Sequence, residues 1–157
     1  MDIDSFILSA IEEDVREGDH TSLACIDAGA IGKAKLIVKD KGIIAGIDIA
    51  EKIFHIVDPN ISLEIYKTDG AQVNIGDIAF NASGSIQSLL KAERLVLNFM
   101  QRMSGIATTT NKYVSLISDL KTKILDTRKT TPNFRYFEKL AVKIGGGQNH
   151  RMGLYDM

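Results

Sequence analysis

A short strand, a cationic turn and a helix start follow one another near the end of the sequence, and this order constrains the fold more than any other feature. The letters TKILD, residues 122–126, predict a short apolar strand, and RKTTP follows at residues 128–132. Thr131 is a good N-cap and Pro132 suits the first helical position, so the helix is predicted to begin there and to run to the glycines. A strand end, a cationic turn and a helix start are the arrangement that active sites of parallel α/β barrels use.

The turn between this strand and this helix carries two adjacent cations. Arg128 offers a planar fork that matches a carboxylate or phosphate, and Lys129 adds a point charge. The free N–H groups and the dipole of a helix N-terminus also attract anions. A solvated basic turn is the alternative, and these residues alone leave both interpretations open.

Three glycines and a second pair of basic residues come next. A single glycine suffices for a left-handed helix cap, whereas Gly145, Gly146 and Gly147 in succession indicate backbone that must approach something closely. His150 and Arg151 follow within four residues. Beside the first cationic turn, this pair is interpreted as donors for an acidic ligand.

The cations are local, because the chain as a whole has a net charge of only -1. Residues 1–120 hold 11 Lys and Arg against 17 Asp and Glu, whereas residues 121–157 hold 8 against 3. An acidic remainder would repel a phosphate backbone, so nonspecific nucleic-acid binding is not expected and a compact pocket for a small polyanion is favoured. The sequence shows no apolar run of membrane-spanning length and no basic leader, so we expect a cytoplasmic protein without a membrane partner.

Residues 1–84 predict helices flanking a mostly antiparallel sheet. Helical periodicity covers residues 5–15 and residues 47–58, and turn residues lie between 17 and 22. Two strands joined near Asp40 to Gly42, and two more in residues 61–67 and 78–84, are predicted from alternation. The one cysteine, Cys25, excludes a disulfide within the chain and is expected to be buried or half-buried.

Residues 85–121 predict two successive helices broken near Ser104 and Gly105. Leucines away from the main apolar face indicate that the first helix either lies between layers or contributes to a subunit interface. Arg94 lies on its polar stripe, and spacing alone favours a surface base.

Four segments carry a pattern specific in order and spacing: KAERLVLNFMQRMSGIAT, LDTRKTTPNFR, EKLAVKIGGGQNHRMGLYDM and, more weakly, EEDVREGDHTS. Together they resemble the quinolinate phosphoribosyltransferase family, the nicotinate-nucleotide pyrophosphorylases (carboxylating) of NAD biosynthesis. The resemblance covers nearly the whole chain from about Ile11. It implies an α+β N-terminal sandwich domain over residues 1–107, including a dimer helix, followed over residues 108–157 by the start of a TIM-like α/β barrel that is incomplete in this chain.

The resemblance also implies roles for the basic residues. Arg128, His150 and Arg151 are expected to hold the carboxylates of quinolinate, with Lys129 close to the substrates. Arg94 corresponds to an arginine that enters the site of the neighbouring subunit, in a homodimer or higher homo-oligomer.

Other positions of these segments are lesser candidates. Thr127 and Thr130, with Thr131, could contact substrates, but capping or local hydrogen bonding is an equally good interpretation. Arg135 lies in the motif region without an assigned role, and Asn133 stands where glycine is common. No catalytic residue and no metal ligand is assigned in this chain.

The implied reaction joins quinolinate to phosphoribosyl pyrophosphate and gives nicotinate mononucleotide, pyrophosphate and carbon dioxide. The family pattern continues after LYDM with a substrate-binding lysine, Mg²⁺-binding carboxylates and phosphate-binding loops, so this chain is expected to be a fragment of the enzyme, with its Mg²⁺ ligands elsewhere. Two alternatives stay open: a related pyrophosphorylase-like protein of molybdenum-transport loci, and a noncatalytic dimerisation or anion-binding module.

Overall fold

The computed structural model describes residues 2–156, in which two small antiparallel sheets pack against helices. The last residue of the predicted barrel segment, 157, lies outside the described residues. In chain order the elements are α1 (Ile3–Val15), α2 (His20–Cys25), β1 (Ile31–Ile37), β2 (Gly42–Ile43), α3 (Ile47–Val57), β3 (Ser62–Ile65), β4 (Gln72–Val73), β5 (Ile78–Ser85), α4 (Ile86–Leu116) and α5 (Arg135–Ile144).

The main sheet has the order β1-β5-β3, with both neighbours antiparallel to the central strand β5. Its register runs from Ile31 opposite Ser85 to Leu36 opposite Phe80, and an irregularity follows Leu36. The predicted antiparallel sheet is confirmed. The two strands predicted around residues 40–42 do not pair with each other, however, because β2 pairs instead with β4.

Helix α4 is one continuous helix of 31 residues, so the predicted break near Ser104 and Gly105 is wrong. The Ser104 hydroxyl accepts a hydrogen bond from the Ala45 N–H at 2.9 Å and donates to the Ala45 carbonyl at 3.2 Å. Thr108, one turn later, makes the same pair of contacts with Ile43, at 2.9 and 3.3 Å. These hydroxyls therefore satisfy the backbone of β2 and of the segment that follows it, and they do not interrupt their own helix.

An aromatic cluster joins α5 to the rest of the core. Phe137 is fully buried, and its ring centroid lies 4.8 Å from that of Phe99 on α4 and 5.2 Å from that of Phe6 on α1. Phe134 packs against Phe137 at 4.9 Å. Because aromatic rings bury large apolar areas, this cluster fixes the position of α5 on α4.

Two further expectations need correction. The segment predicted as a turn after residue 17 contains the short helix α2, whose first turn is capped by the Asp19 carboxylate accepting from the Ser22 N–H at 3.1 Å. Cys25, the last residue of this helix, is exposed, so the expectation that it is buried or half-buried is wrong. On the other side of α4, Leu90 is 40% exposed and Leu95 and Leu97 are half-buried, so the rest of residues 2–156 leaves this leucine surface partly uncovered.

Across residues 2–156, no helix combines the length and the apolar character that crossing a membrane would require. The division at residues 107 and 108 stays a prediction, and α4 passes through it without interruption.

Replacing Thr108 with Val tests the link between α4 and β2. Val keeps the shape but leaves the Ile43 N–H without its acceptor, so we expect the free energy of unfolding to fall by about 1–3 kcal/mol in urea denaturation. Thr109→Val is the matched control, because the Thr109 hydroxyl is exposed and bonds only within its helix. Equal stability of the two variants would show that the hydroxyl contacts do not hold β2 on α4.

Candidate functional site

A parallel bridge brings together the two basic segments, which are the turn that carries Arg128 and Lys129 and the loop that carries His150 and Arg151. Both segments lie at one edge of the structure. Leu125 pairs with Gln148, through bonds from the Gln148 N–H to the Ile124 carbonyl at 2.8 Å and from the Asp126 N–H to the Gln148 carbonyl at 3.1 Å. The strand predicted at residues 122–126 is present only as this bridge. Since parallel segments end at the same edge, the turn after Asp126 and the loop after Gln148 leave the bridge side by side.

The start of α5 differs from the prediction. The helix begins at Arg135 with Phe134 as its N-cap, so Thr131 and Pro132 do not begin it. The chain first makes a turn, in which the Phe134 N–H donates to the Thr131 carbonyl at 3.0 Å and Asn133 has a φ of 61°. Asparagine tolerates this left-handed conformation better than most residues, so it fits this position of the turn. The helix N-terminus consequently lies farther along the chain from the cationic turn than predicted.

One guanidinium group links the two basic segments. Arg135 donates through Nε to the Thr130 hydroxyl at 3.0 Å, through Nη1 to the Met152 carbonyl at 2.9 Å and through Nη2 to the Arg128 carbonyl at 3.4 Å. Both loops therefore lie within reach of a single side chain. The sequence analysis gave Arg135 no role, although it lies in the same motif.

A buried ion pair between Asp126 and Lys139 lies beneath the same edge. Their side chains are 4% and 2% exposed, and the Lys139 ammonium donates to the Asp126 carboxylate. The ammonium also donates to the His150 carbonyl at 3.0 Å, and Asn149 donates to Asp126 at 2.6 Å. No role was predicted from the sequence for Asp126, Lys139 or Asn149. The spacing of four that places Lys139 on the same face of α5 as Arg135 could have suggested the lysine.

The predicted ligand residues occupy the surface above this pair. His150 is exposed and Arg151 half-buried, and with Asn149 and Asp156 they line an open depression of about 530 Å³. In the neighbouring turn, Lys129 is exposed and Arg128 half-buried. The structure thus brings these four basic residues to one edge, and their role in binding stays a prediction.

The threonines of the turn make local hydrogen bonds. The Thr127 hydroxyl accepts from the Lys129 N–H at 3.3 Å, and the Thr130 hydroxyl donates to the Arg128 carbonyl at 3.4 Å. Thr131 accepts from Arg102 at 2.7 Å. The Thr127 and Thr130 contacts are local bonding, which is the alternative predicted from the sequence, whereas the Thr131 contact reaches helix α4.

Arg94 lies elsewhere in the chain. Its side chain is 74% exposed, with Nε 3.9 Å from a carboxylate oxygen of Asp14. It lines a polar groove of about 520 Å³ together with Asp19, His20 and Lys91. Its predicted entry into the site of a neighbouring subunit is not tested by the contacts within one chain.

The triple glycine serves the contact between α5 and α4. A Cβ at Gly145 would lie 2.4 Å from the Ala107 carbonyl oxygen, and one at Gly147 would lie 2.9 Å from a methyl carbon of Thr110. Gly146 has a φ of 91°, the left-handed conformation of a helix cap. The predicted close approach is present, and its partner is helix α4.

A second cleft, of about 490 Å³ and mostly apolar lining, lies between residues 36–44 and helix α4. None of the predicted ligand residues lines it. Because a small polyanion needs converging cations, the edge at residues 128–151 is the better candidate for its site.

Glu138 ties the start of α5 to α4. It is 8% exposed and accepts from Arg102 Nε at 3.1 Å and from the Thr131 N–H at 3.4 Å. Burial alone would raise the pKa of Glu138, but the hydrogen bonds and the charge of Arg102 outweigh burial and lower this pKa below its ordinary value.

Glu138→Gln is therefore expected to lower stability in a pH-dependent way. A lowered folded-state pKa contributes stability that is present above the unfolded pKa, about 4.3 for glutamate, and is lost as the pH falls through the folded value. Parent and variant should differ by about 1–3 kcal/mol in unfolding free energy at pH 7 and converge in acid. A difference that stays constant from pH 7 to pH 3 in urea denaturation would contradict the ionised contact.

Comparisons with known proteins agree with this arrangement over both parts of the chain. The family described as "Quinolinate phosphoribosyl transferase, N-terminal domain" matches residues 19–104, and "Quinolinate phosphoribosyl transferase, C-terminal domain" matches residues 106–157. The fold accordingly consists of the N-terminal domain with the beginning of the C-terminal domain.

Individual relatives give the extent of the similarity. The chain is 43% identical over 144 residues to a probable nicotinate-nucleotide pyrophosphorylase (carboxylating) of Bacillus subtilis, covering 92% of this chain and 50% of that protein. The chain is 38% identical to the protein of the same description from Synechocystis, and the match covers 98% of this chain and 52% of that protein. The crystal structure of NadC from Streptococcus pyogenes superposes with a TM-score of 0.95 at 40% identity, covering 98% of this chain and 55% of that one. The chain thus spans about half the length of the curated relatives it matches, and it belongs to the quinolinate phosphoribosyltransferase family.

Proposed function

We propose that this chain supplies the quinolinate-holding part of a transferase that joins quinolinate to phosphoribosyl pyrophosphate, giving nicotinate mononucleotide, pyrophosphate and carbon dioxide. The observation that carries the proposal is the parallel bridge at Leu125 and Gln148, which directs two basic segments to one edge. Identities of 38–43% to proteins described as nicotinate-nucleotide pyrophosphorylases support the choice of substrate.

Recognition of a pyridine diacid requires several cations at a fixed spacing. Arg128, His150 and Arg151 would hold the two carboxylates, since arginine and protonated histidine donate hydrogen bonds to carboxylate oxygens. Lys129, exposed in the same turn, would lie toward the second substrate. Concentrated positive charge is needed because quinolinate and phosphoribosyl pyrophosphate are both polyanions that repel each other.

These residues would act by orientation and electrostatics. The pyridine nitrogen attacks the sugar carbon that becomes electron-deficient as pyrophosphate departs, so holding the ring in the correct plane lowers the barrier. The new N-glycosidic bond makes the ring nitrogen cationic. That charge stabilises the carbanion formed when the adjacent carboxylate leaves as carbon dioxide, and a proton then replaces the carboxylate.

The assembly of this enzyme is also part of the proposal. Residues 108–157 would form the first strand and helix of a TIM-like barrel and the approach to its second strand, in a cytoplasmic homodimer or higher homo-oligomer. The partly uncovered leucine surface of α4 and the 74% exposure of Arg94 on the same helix support a subunit boundary there.

Magnesium would accompany the pyrophosphate group in this reaction. Within residues 2–156, no three His, Cys, Asp or Glu side chains group as a metal site would need. Asp126 and Glu138 are bound to Lys139 and Arg102, and the remaining carboxylate near the basic segments, Asp156, accepts from the Met152 N–H at 2.7 Å. The described residues therefore do not fit the metal, and we propose ligands in other parts of the enzyme.

Calorimetric titration with quinolinate tests the binding proposal. We expect saturable binding that is at least about tenfold tighter than that of nicotinate, which lacks one carboxylate. Arg128→Met should weaken quinolinate binding about 10- to 100-fold, as expected for loss of a charged hydrogen bond. Lys123→Met is the matched control, because it removes a cation from an exposed position before the bridge at Leu125.

Equal affinities for quinolinate and nicotinate, or equal effects of the two substitutions, would contradict a diacid site at this edge. Addition of phosphoribosyl pyrophosphate and magnesium then separates the functions. Nicotinate mononucleotide would support the transferase, whereas binding without product would support the noncatalytic anion-binding module.

Mixing subunits tests the role of Arg94. If Arg94 enters the neighbouring site, Arg94→Ala and Arg128→Ala proteins should each lack competent sites, because every site lacks one of the two residues. Co-refolded heterodimers should recover quinolinate binding at about one site in four across the mixture, since one of the two sites in each mixed dimer carries both residues and about half of the dimers are mixed. No recovery after mixing, measured by calorimetry with the dimer population checked by mass, would contradict a shared site.

A further inference from the structure

We propose that Asp126 and Lys139 are positioning residues that fix the direction in which His150 and Arg151 present their side chains. The inference rests on the proposed function. Both side chains are almost completely buried, at 4% and 2% exposure, and neither lines the open depression. They act through the backbone of the residue that does.

The ion pair holds both polar backbone groups of His150. Its N–H donates to the Asp126 carboxylate at 2.8 Å, and its carbonyl accepts from the Lys139 ammonium at 3.0 Å. The two partners are bonded to each other. Rotation of the backbone at His150 would break both bonds and leave buried charges poorly satisfied, so the pair allows one orientation of the loop.

Asn149 adds two hydrogen bonds that hold the ion pair, and with it the His150 backbone, in place. Its amide donates to the second Asp126 oxygen at 2.6 Å and to the Lys139 carbonyl at 2.8 Å. Because His150 itself is exposed, packing around its ring contributes little to its placement. The backbone contacts are therefore the main constraint on the position and direction of the His150 side chain.

The ion pair also neutralises the negative charge of Asp126 next to the predicted binding site. A lone carboxylate at Asp126 would oppose the binding of a dicarboxylate, but its charge is matched by Lys139. Ion pairs within residues 2–156 engage Lys52, Lys67, Arg94, Arg102 and Lys139. None of these pairs includes Arg128, Lys129 or Arg151, although the Asp156 carboxylate lines the same depression as Arg151.

The test replaces the pair without changing net charge. In the double variant Asp126→Asn with Lys139→Met, Met retains the apolar stem of lysine and Asn the shape of aspartate, and such replacements of a buried pair are often neutral for stability. We expect an unchanged melting temperature within a few degrees and quinolinate affinity about 10- to 100-fold weaker. The matched control is Asp119→Asn with Lys143→Met, which removes one exposed charge of each sign and should bind as the parent does.

Asn149→Ala provides a second variant if the double variant does not fold. Asn149 is exposed but donates to the buried Asp126 carboxylate, so its loss should lower the melting temperature by only a few degrees and weaken quinolinate binding about threefold to tenfold. Parent-like affinity in Asn149→Ala together with parent-like affinity in a folded double variant would overturn the proposal.

Amide hydrogen exchange gives a readout that does not depend on quinolinate. The His150 N–H should exchange slowly in the parent and in the control. It should exchange faster in the double variant, because the Asn oxygen accepts more weakly than a carboxylate and Lys139 no longer holds the His150 carbonyl, and to a smaller degree in Asn149→Ala. Rapid exchange in the parent would contradict the proposal that Asp126 and Lys139 hold the His150 backbone. A parent that protects this N–H but fails to bind quinolinate would contradict the proposed function and leave the hold on the His150 backbone supported by exchange alone.

Discussion

The packing of α5 on α4 is the constraint on which the rest of the structure depends. Phe137 is buried against Phe99, and Gly145 and Gly147 let the end of α5 approach α4 more closely than any side chain would allow. Glu138 adds a charged contact to Arg102 at the other end of the helix. With α5 fixed in this way, the segments before and after it must meet, and the parallel bridge at Leu125 and Gln148 joins them.

The polar side chains of α5 then fix the positions of the two basic segments. Arg135 reaches backbone or hydroxyl oxygens in both basic segments, and Lys139, one turn later, reaches Asp126 and His150 from below. The apolar face of this helix thus holds it to the core while its polar face organises the loops. Cations that would repel one another are kept together because their backbones, and not their charged ends, make the fixed contacts.

Much of this arrangement could be predicted from the sequence, and the exceptions have physical reasons. Local propensity predicts the basic turn between an extended segment and a helix, although the extended segment is present only as the bridge at Leu125 and the helix begins at Arg135. The break at Ser104 and Gly105 was predicted wrongly because the contacts of Ser104 with Ala45, 59 residues away, are invisible to local pattern. The start at Thr131 failed for a similar reason, since its hydroxyl and N–H serve Arg102 and Glu138. Lys139 was missed because a buried lysine looks like a surface lysine until its aspartate is known.

The central claim is that two basic segments form one binding edge for a pyridine diacid. Nuclear magnetic resonance of the backbone amides during quinolinate titration tests it most directly. The account predicts that the shifts change together at residues 128–130 and 149–152, with one common saturation curve. Shifts confined to the apolar cleft between residues 36–44 and α4, or different saturation curves for the two segments, would contradict it.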